Sequence, residues 1–176
     1  LEVDEHDNKT IVFIDRSKNV EFRENIEKVR LIGKMFHPEV VLFETNTFAK
    51  SFTQELRNVS DLNVHDFNTT RKKKEEIILS LQMNFENKKI NLPYGNEESR
   101  RVSMTLLEEL SMFAITEKGK FEGIGAHDDM VMSLALANAA THTMSETFIL
   151  LDDLGLFEPP TTNKYKRNSG VIGMNF

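Results

Sequence analysis

Four consecutive large apolar residues, Val40, Val41, Leu42 and Phe43, restrict the fold more than any other feature of this chain. A strand with one side in water alternates apolar and polar residues, whereas a strand covered by helices on both faces has an unbroken apolar run. The run ends at a carboxylate, Glu44. It therefore predicts a central strand in a sheet that carries helices on both faces.

Strand and helix patterns alternate along the rest of the chain, which predicts an α/β fold. Helical spacing of apolar residues covers residues 24–36, 48–58, 70–87 and 97–113, and Thr69 or Thr70 would cap the third of these helices. In the fourth helix, we expect Val102, Leu106, Leu107 and Leu110 to face inward. Further strands are predicted at residues 1–3, 9–15, 64–67 and 90–92, and a hairpin at residues 113–124.

The composition sets limits on the class of protein. A length of 176 residues suits one domain, and the absence of cysteine excludes disulfide frameworks and thiol catalysis. No apolar run is long enough to span a bilayer and the first residues do not resemble a signal peptide, so we expect a protein that is not secreted and has no membrane partner. The formal charge of −6 argues against a general nucleic-acid coat, although a local basic patch could still bind phosphate.

Two adjacent carboxylates, Asp128 and Asp129, open a long apolar helix and follow His127. A single acid is enough to cap a helix and to interact with its dipole, so the second acid indicates a bound divalent cation. Glu44 ends the predicted central strand, and ligands of open α/β sheets collect at the carboxyl ends of strands. Together these acids would form part of a magnesium site that hydrolyses phosphodiesters.

Residues 41–47 (VLFETNT) and 125–134 (GAHDDMVMSL) resemble the nuclease domain of the large terminases of tailed bacteriophages. The resemblance covers nearly the whole chain, and it implies an RNase H-like fold with a central mixed sheet flanked by helices. It also implies a metal-dependent endonuclease that cuts concatemeric double-stranded DNA during genome packaging. Glu44, Asp129 and Asp128 would then be catalytic residues and ligands of two Mg²⁺ or Mn²⁺ ions, with His127 as a possible auxiliary residue.

The same resemblance implies partners and a location. The partners would be double-stranded DNA, an ATPase domain of the same polypeptide, the portal protein and the small terminase subunit. The location would be the host-cell cytoplasm, at the prohead.

The chain departs from that family at one essential position. The first catalytic Asp of the family lies on an opening strand, and no residue before Glu44 matches it; Asp15 is interpreted as an ordinary acid at a strand end. We therefore expect Leu1 to lie just downstream of the missing strand. The predicted nuclease domain covers residues 1–145, and residues 146–176 form a tail expected to wrap the surface or to be mobile.

The only dense basic run in the globular part is Arg71, Lys72, Lys73 and Lys74, at the start of a predicted helix. The helix dipole disfavours cations there, and Glu75 and Glu76 could screen them, which would make the run an ordinary solvated helix face. The alternative interpretation is a grip on the DNA backbone beside the metal site.

Two other functions agree with the same residues. A junction resolvase shares the fold and the acids and would prefer branched DNA. A non-catalytic docking module would use the acids only to stabilise a helix and would bind a portal or another domain.

Overall fold

The computed structural model describes residues 1–17, 20–44, 49–115, 121–123, 128–141 and 170–174. Within these residues the chain is a mixed α/β protein, as the alternating pattern predicts. The strands are β1 (Glu2–Val3), β2 (Lys9–Thr10), β3 (Pro38–Glu44), β4 (Val64–Phe67), β5 (Ile90–Asn91), β6 (Phe113–Ile115), β7 (Phe121–Gly123) and β8 (Gly170–Met174). The helices are α1 (Phe22–Phe36), α2 (Ala49–Val59), α3 (Arg71–Glu86), α4 (Glu97–Ser111) and α5 (Asp129–Thr141).

The main sheet is mixed and has the strand order β4-β3-β8-β1-β2-β5. Strand β3 is parallel to both of its neighbours, β4 and β8, whereas β1 is antiparallel to β8 and to β2. Strands β6 and β7 pair antiparallel as a separate hairpin, which confirms the hairpin predicted before the last helix. The predicted central strand is therefore an interior strand of the sheet.

Both faces of β3 are covered by helices. Val41 and Phe43 belong to one core cluster, together with side chains of α1 and α2. Val40 and Leu42, on the alternate positions, contact Ala140 of α5 instead. Because successive side chains of a strand point to opposite faces, this division is the direct consequence of the apolar run.

Helices α3 and α5 run side by side in the same direction. Lys74, near the start of α3, contacts Asp128 at the start of α5, and Asn84 donates a hydrogen bond of 2.7 Å to Asn138 near the other end. The other end of the buried Asn138 amide is also paired, because its Nδ2 donates a hydrogen bond of 3.1 Å to the Ser80 hydroxyl. Helix α5 is buried around most of its circumference, and no helix in the described ranges is long and apolar enough to cross a membrane.

Two sequence predictions were wrong in detail. The strand predicted at residues 9–15 is shorter in the structure: β2 covers Lys9 and Thr10, and one further backbone hydrogen bond of 3.0 Å joins the Ile11 N–H to the Asn91 carbonyl. Ile11 remains buried, so its apolar character serves core packing. In α4, Leu107 is 40% exposed whereas Glu109 is 5% exposed, because the buried face of the helix passes through Leu106 and Glu109.

The C-terminal segment also differs from its prediction in part. Residues 170–174 form β8, which lies between β1 and β3 in the interior of the sheet and does not wrap the surface. The predicted domain boundary at residue 145 falls outside the described residues.

Replacement of Phe43 by Ala should strongly destabilise the domain. The Phe43 ring is fully buried and its centroid lies 5.3 Å from that of Phe52. Loss of such a side chain costs about 3 to 5 kcal/mol of unfolding free energy, measurable by urea denaturation. The control Leu31→Ala, at a position 59% exposed, should change the free energy by less than about 0.5 kcal/mol.

Proline at position 172 should disrupt the sheet. Ile172 pairs with Val41 in the parallel ladder between β8 and β3, and proline removes the backbone N–H that an interior strand needs. We expect Ile172→Pro to lower the denaturation midpoint and to accelerate amide exchange in β1 and β3, whereas Ile172→Val should do neither. Equal exchange in both variants would contradict the interior position of β8.

Candidate functional site

The predicted acids lie at one edge of the main sheet. Glu44 is the last residue of β3, and its partner in the parallel ladder is Phe67, the last residue of β4. Helix α3 begins four residues after Phe67, and its Lys74 contacts Asp128 directly before α5. The start of α5 and the end of β3 are therefore at the same edge, the carboxyl end of the parallel strands, where α/β sheets bind ligands.

Five charged side chains form a cluster at the start of α5: Arg16, Lys74, Glu109, Asp128 and Asp129. We call these residues the charge cluster. Lys74 Nζ lies 2.9 Å from Asp128 Oδ2, and both side chains are mostly shielded from solvent, with exposures of 25% and 30%. Partial burial makes this ion pair stronger than an exposed pair, because solvent screens it less.

Arg16 connects the two other acids of the charge cluster. Its Nη1 lies 2.8 Å from Glu109 Oε1, and its Nη2 lies 3.7 Å from Asp129 Oδ2. Glu109 Oε2 accepts a hydrogen bond of 3.0 Å from the backbone N–H of Met130. The first N–H groups of a helix lack partners within the helix, so Glu109 of α4 satisfies one of them for α5.

Two buried polar atoms of the charge cluster remain unsatisfied. Within the described part of the chain, neither Arg16 Nη2 nor Glu109 Oε1 has a hydrogen-bond partner. The close approach of the guanidinium to Glu109 is thus an ion pair without hydrogen-bond alignment at that oxygen. Unsatisfied buried groups of this kind mark a locally costly arrangement.

The chemistry of the acids fits a hard divalent cation. Carboxylate oxygens are the ligands that Mg²⁺ and Mn²⁺ prefer. In the structure, Asp128 and Asp129 form ion pairs with two basic side chains. Among the described residues, however, no three His, Asp or Glu side chains lie close enough together to hold a metal. Glu44 is half-buried at the same edge of the sheet, and His127 falls outside the described residues.

The basic run has several different partners. Arg71 pairs with Glu75 at 3.0 Å and Lys72 with Glu76 at 3.8 Å, each one helical turn away. Lys73 Nζ lies 5.7 Å from the centre of the Phe67 ring. The predicted screening by the following glutamates is therefore present for Arg71 and Lys72. The role of the run in binding DNA stays a prediction.

Asp15 lies outside the charge cluster. It forms an ion pair with Lys28 of α1 and accepts a hydrogen bond of 2.6 Å from Ser17. Burial acts to raise the pKa of this carboxyl, but the bonds from Lys28 and Ser17 outweigh burial and hold the pKa below its usual value. This agrees with the interpretation of Asp15 as a structural acid.

Arg16 and Glu109 were not identified from the sequence. A signal for Glu109 exists, because it follows Leu106 by three residues and so lies on the inward face of α4. A carboxylate on an inward face requires a partner. Arg16 carries no such signal, since its contacts join segments that are distant in sequence.

The Asp15 ion pair should make stability depend on pH. Because the pKa of Asp15 is lower in the folded than in the unfolded chain, the charged carboxyl stabilises the fold at neutral pH, and this contribution is lost as pH falls through the folded pKa. Asp15→Asn should therefore lower the unfolding free energy at pH 7 and have a shrinking effect below about pH 4, measured by urea denaturation across pH. In a Lys28→Met background the same change should have a smaller effect at pH 7, and an undiminished effect would contradict the pairing.

Comparisons of the chain with models of protein families, with curated proteins and with solved structures gave no match. The candidate site therefore rests on the geometry of its own residues.

Proposed function

We propose that this chain is the nuclease domain of a viral large terminase, with an RNase H-like fold, and that it cleaves concatemeric double-stranded DNA with the aid of Mg²⁺ or Mn²⁺. The observation that carries the proposal is the placement of Glu44 and of the Asp128 and Asp129 pair at one edge of the sheet. A mixed sheet with helices on both faces also supports it.

In this proposal, Glu44, Asp128 and Asp129 hold the divalent cations. When bound, the cations would polarise a phosphodiester and favour attack by water. Glu109 and Arg16 act as positioning residues, because they fix the first turn of α5 and hence the acids that begin it. Arg71 and Lys72 have exposed side chains near the same edge and would contact the DNA backbone without reading its sequence.

The wider setting follows from the same proposal. The domain would work beside an ATPase domain of the same polypeptide, with the portal protein and the small terminase subunit as partners, in the host-cell cytoplasm.

One observation favours a second candidate function, a docking module without catalysis. Both acids of the pair have basic partners within the domain, Lys74 for Asp128 and Arg16 for Asp129. Ion pairs of this kind can serve stability alone, in which case the cluster would hold α3, α4 and α5 together. The two candidates differ in whether the acids bind a divalent cation.

Asp129→Asn should abolish both Mn²⁺ binding and DNA cleavage. The change keeps the shape of the side chain but removes the charge that would hold the cation. Binding is measured by calorimetry with Mn²⁺ alone, and cleavage by nicking of supercoiled plasmid, using this chain and a version extended upstream. Cleavage should fall by a factor of about a hundred or more in the active form.

Asp15→Asn provides the matched control, because Asp15 is an acid of the same type that pairs with Lys28 outside the charge cluster. It should bind Mn²⁺ as the unmodified chain does. If the unmodified chain releases no heat with Mn²⁺ and the extended version does not cleave, the docking module becomes the better explanation. Full cleavage by Asp129→Asn would refute the assigned role of that residue.

A further inference from the structure

Lys74 belongs to two features of the domain at once. It is the last residue of the basic run, and it is also a member of the charge cluster through its contact of 2.9 Å with Asp128. Arg71 pairs with Glu75 and Lys72 with Glu76 inside α3, whereas the carboxylate that Lys74 contacts lies 54 residues further along the chain. Lys74 thus connects the proposed DNA contact to the proposed metal ligands.

We propose that Lys74 couples the binding of a divalent cation to the binding of DNA; this inference rests on the proposed metal site. Without a cation, the ammonium group of Lys74 neutralises Asp128. A divalent cation on Asp128 displaces Lys74, which then becomes available for a phosphate of the DNA backbone. Until a metal is present, Lys74 therefore stays paired with Asp128 and makes no contact with a DNA phosphate.

The charges of the cluster explain why a cation would displace Lys74. Three carboxylates, Glu109, Asp128 and Asp129, face two basic side chains, Arg16 and Lys74, so the cluster has an excess of negative charge that attracts a cation. Lys74 and a divalent cation would compete for the same oxygen of Asp128, and their like charges repel each other. Both partners of the pair are only partly exposed, so solvent weakens this repulsion little.

Arg16 is less suited to move. Its guanidinium is held 2.8 Å from the carboxylate of Glu109, which is buried and also bonded to the backbone of α5. Lys74 has a carboxylate contact with Asp128, and its Nζ lies 5.8 Å from the centre of the Phe113 ring. Its long flexible side chain can reorient without moving α3, because the charged group is at the end of four methylene groups.

Thermodynamic linkage gives the inference a measurable form. If the cation frees Lys74 for DNA, the cation must raise the affinity for DNA, and DNA must raise the affinity for the cation by the same factor. A further phosphate contact also makes DNA binding more dependent on salt, because it releases one more counterion.

The test uses the full chain and three variants: Lys74→Gln, Lys74→Arg and Lys73→Gln. Lys73→Gln is the matched control, since Lys73 is the neighbouring cation of the same run and lies over Phe67 instead of pairing with Asp128. Mn²⁺ affinity is measured by calorimetry without DNA. DNA affinity is measured by fluorescence anisotropy of a short labelled duplex, with Mn²⁺ and with EDTA at several salt concentrations, and a gel confirms that the duplex stays intact.

Removal of the competing ammonium group should tighten Mn²⁺ binding by roughly threefold to tenfold in Lys74→Gln. Lys74→Arg should behave as the unmodified chain, and Lys73→Gln should change Mn²⁺ affinity by less than about twofold, because the Lys73 ammonium lies over Phe67 and not against Asp128. In the unmodified chain, Mn²⁺ should increase the slope of log DNA affinity against log salt concentration by about one released counterion. Lys74→Gln should lose this increment, whereas Lys73→Gln should keep it.

Two results would overturn the inference, and they can be told apart. If Asp129→Asn loses Mn²⁺ binding while Lys74→Gln and Lys73→Gln give the same Mn²⁺ affinity and the same salt dependence, the metal site stands and the coupling through Lys74 is wrong. If the unmodified chain binds no Mn²⁺, the proposed function and the coupling are both wrong. Far-ultraviolet circular dichroism of each variant confirms that the fold is retained.

Discussion

Burial of β3 on both faces dictates where the helices around the sheet must pack. Val41 and Phe43 require cover from α1 and α2, and Val40 and Leu42 require cover from α5 on the opposite face. Helix α5 in turn lies against the sheet, α3 and α4, so it is buried around most of its circumference. Polar groups at the start of such a helix cannot all reach water, and they must find partners within the protein.

Glu109 and Arg16 show how the domain meets that requirement. Glu109 brings a buried carboxylate to the first turn of α5, where its negative charge is favourable and a free N–H needs an acceptor. Arg16 then compensates the charge of Glu109 and approaches Asp129. A buried ion pair of this type adds little net stability, but removal of one partner would leave the other charge buried and uncompensated.

The charge cluster affects both the stability of the domain and the proposed binding of a metal. The acids are held by basic side chains of their own domain, and these ion pairs join α3, α4 and α5. In the proposed function, a cation would have to replace an ammonium group, so its affinity would depend on the side chains around the acids as well as on the acids themselves. Under that proposal, stability and metal binding would make opposing demands on Asp128 and Asp129.

Local patterns in the sequence were sufficient to predict the individual strands and helices and the acids that stand out from them. The apolar run before Glu44 predicted the interior strand, and the spacing of apolar residues predicted α1 to α4, because burial on one side imposes a period on each of these helices. Helix α5 was predicted from the apolar run after Asp128 and Asp129, since a helix that is buried on most sides shows no such period. Which charges meet depends on how these elements pack against one another. Lys74 reaches Asp128, Arg16 reaches Glu109, and β8 enters the sheet between β1 and β3 through contacts between segments distant in sequence. Local patterns do not predict such contacts, because the spacing of a side chain along its own element does not specify which other element will lie against it.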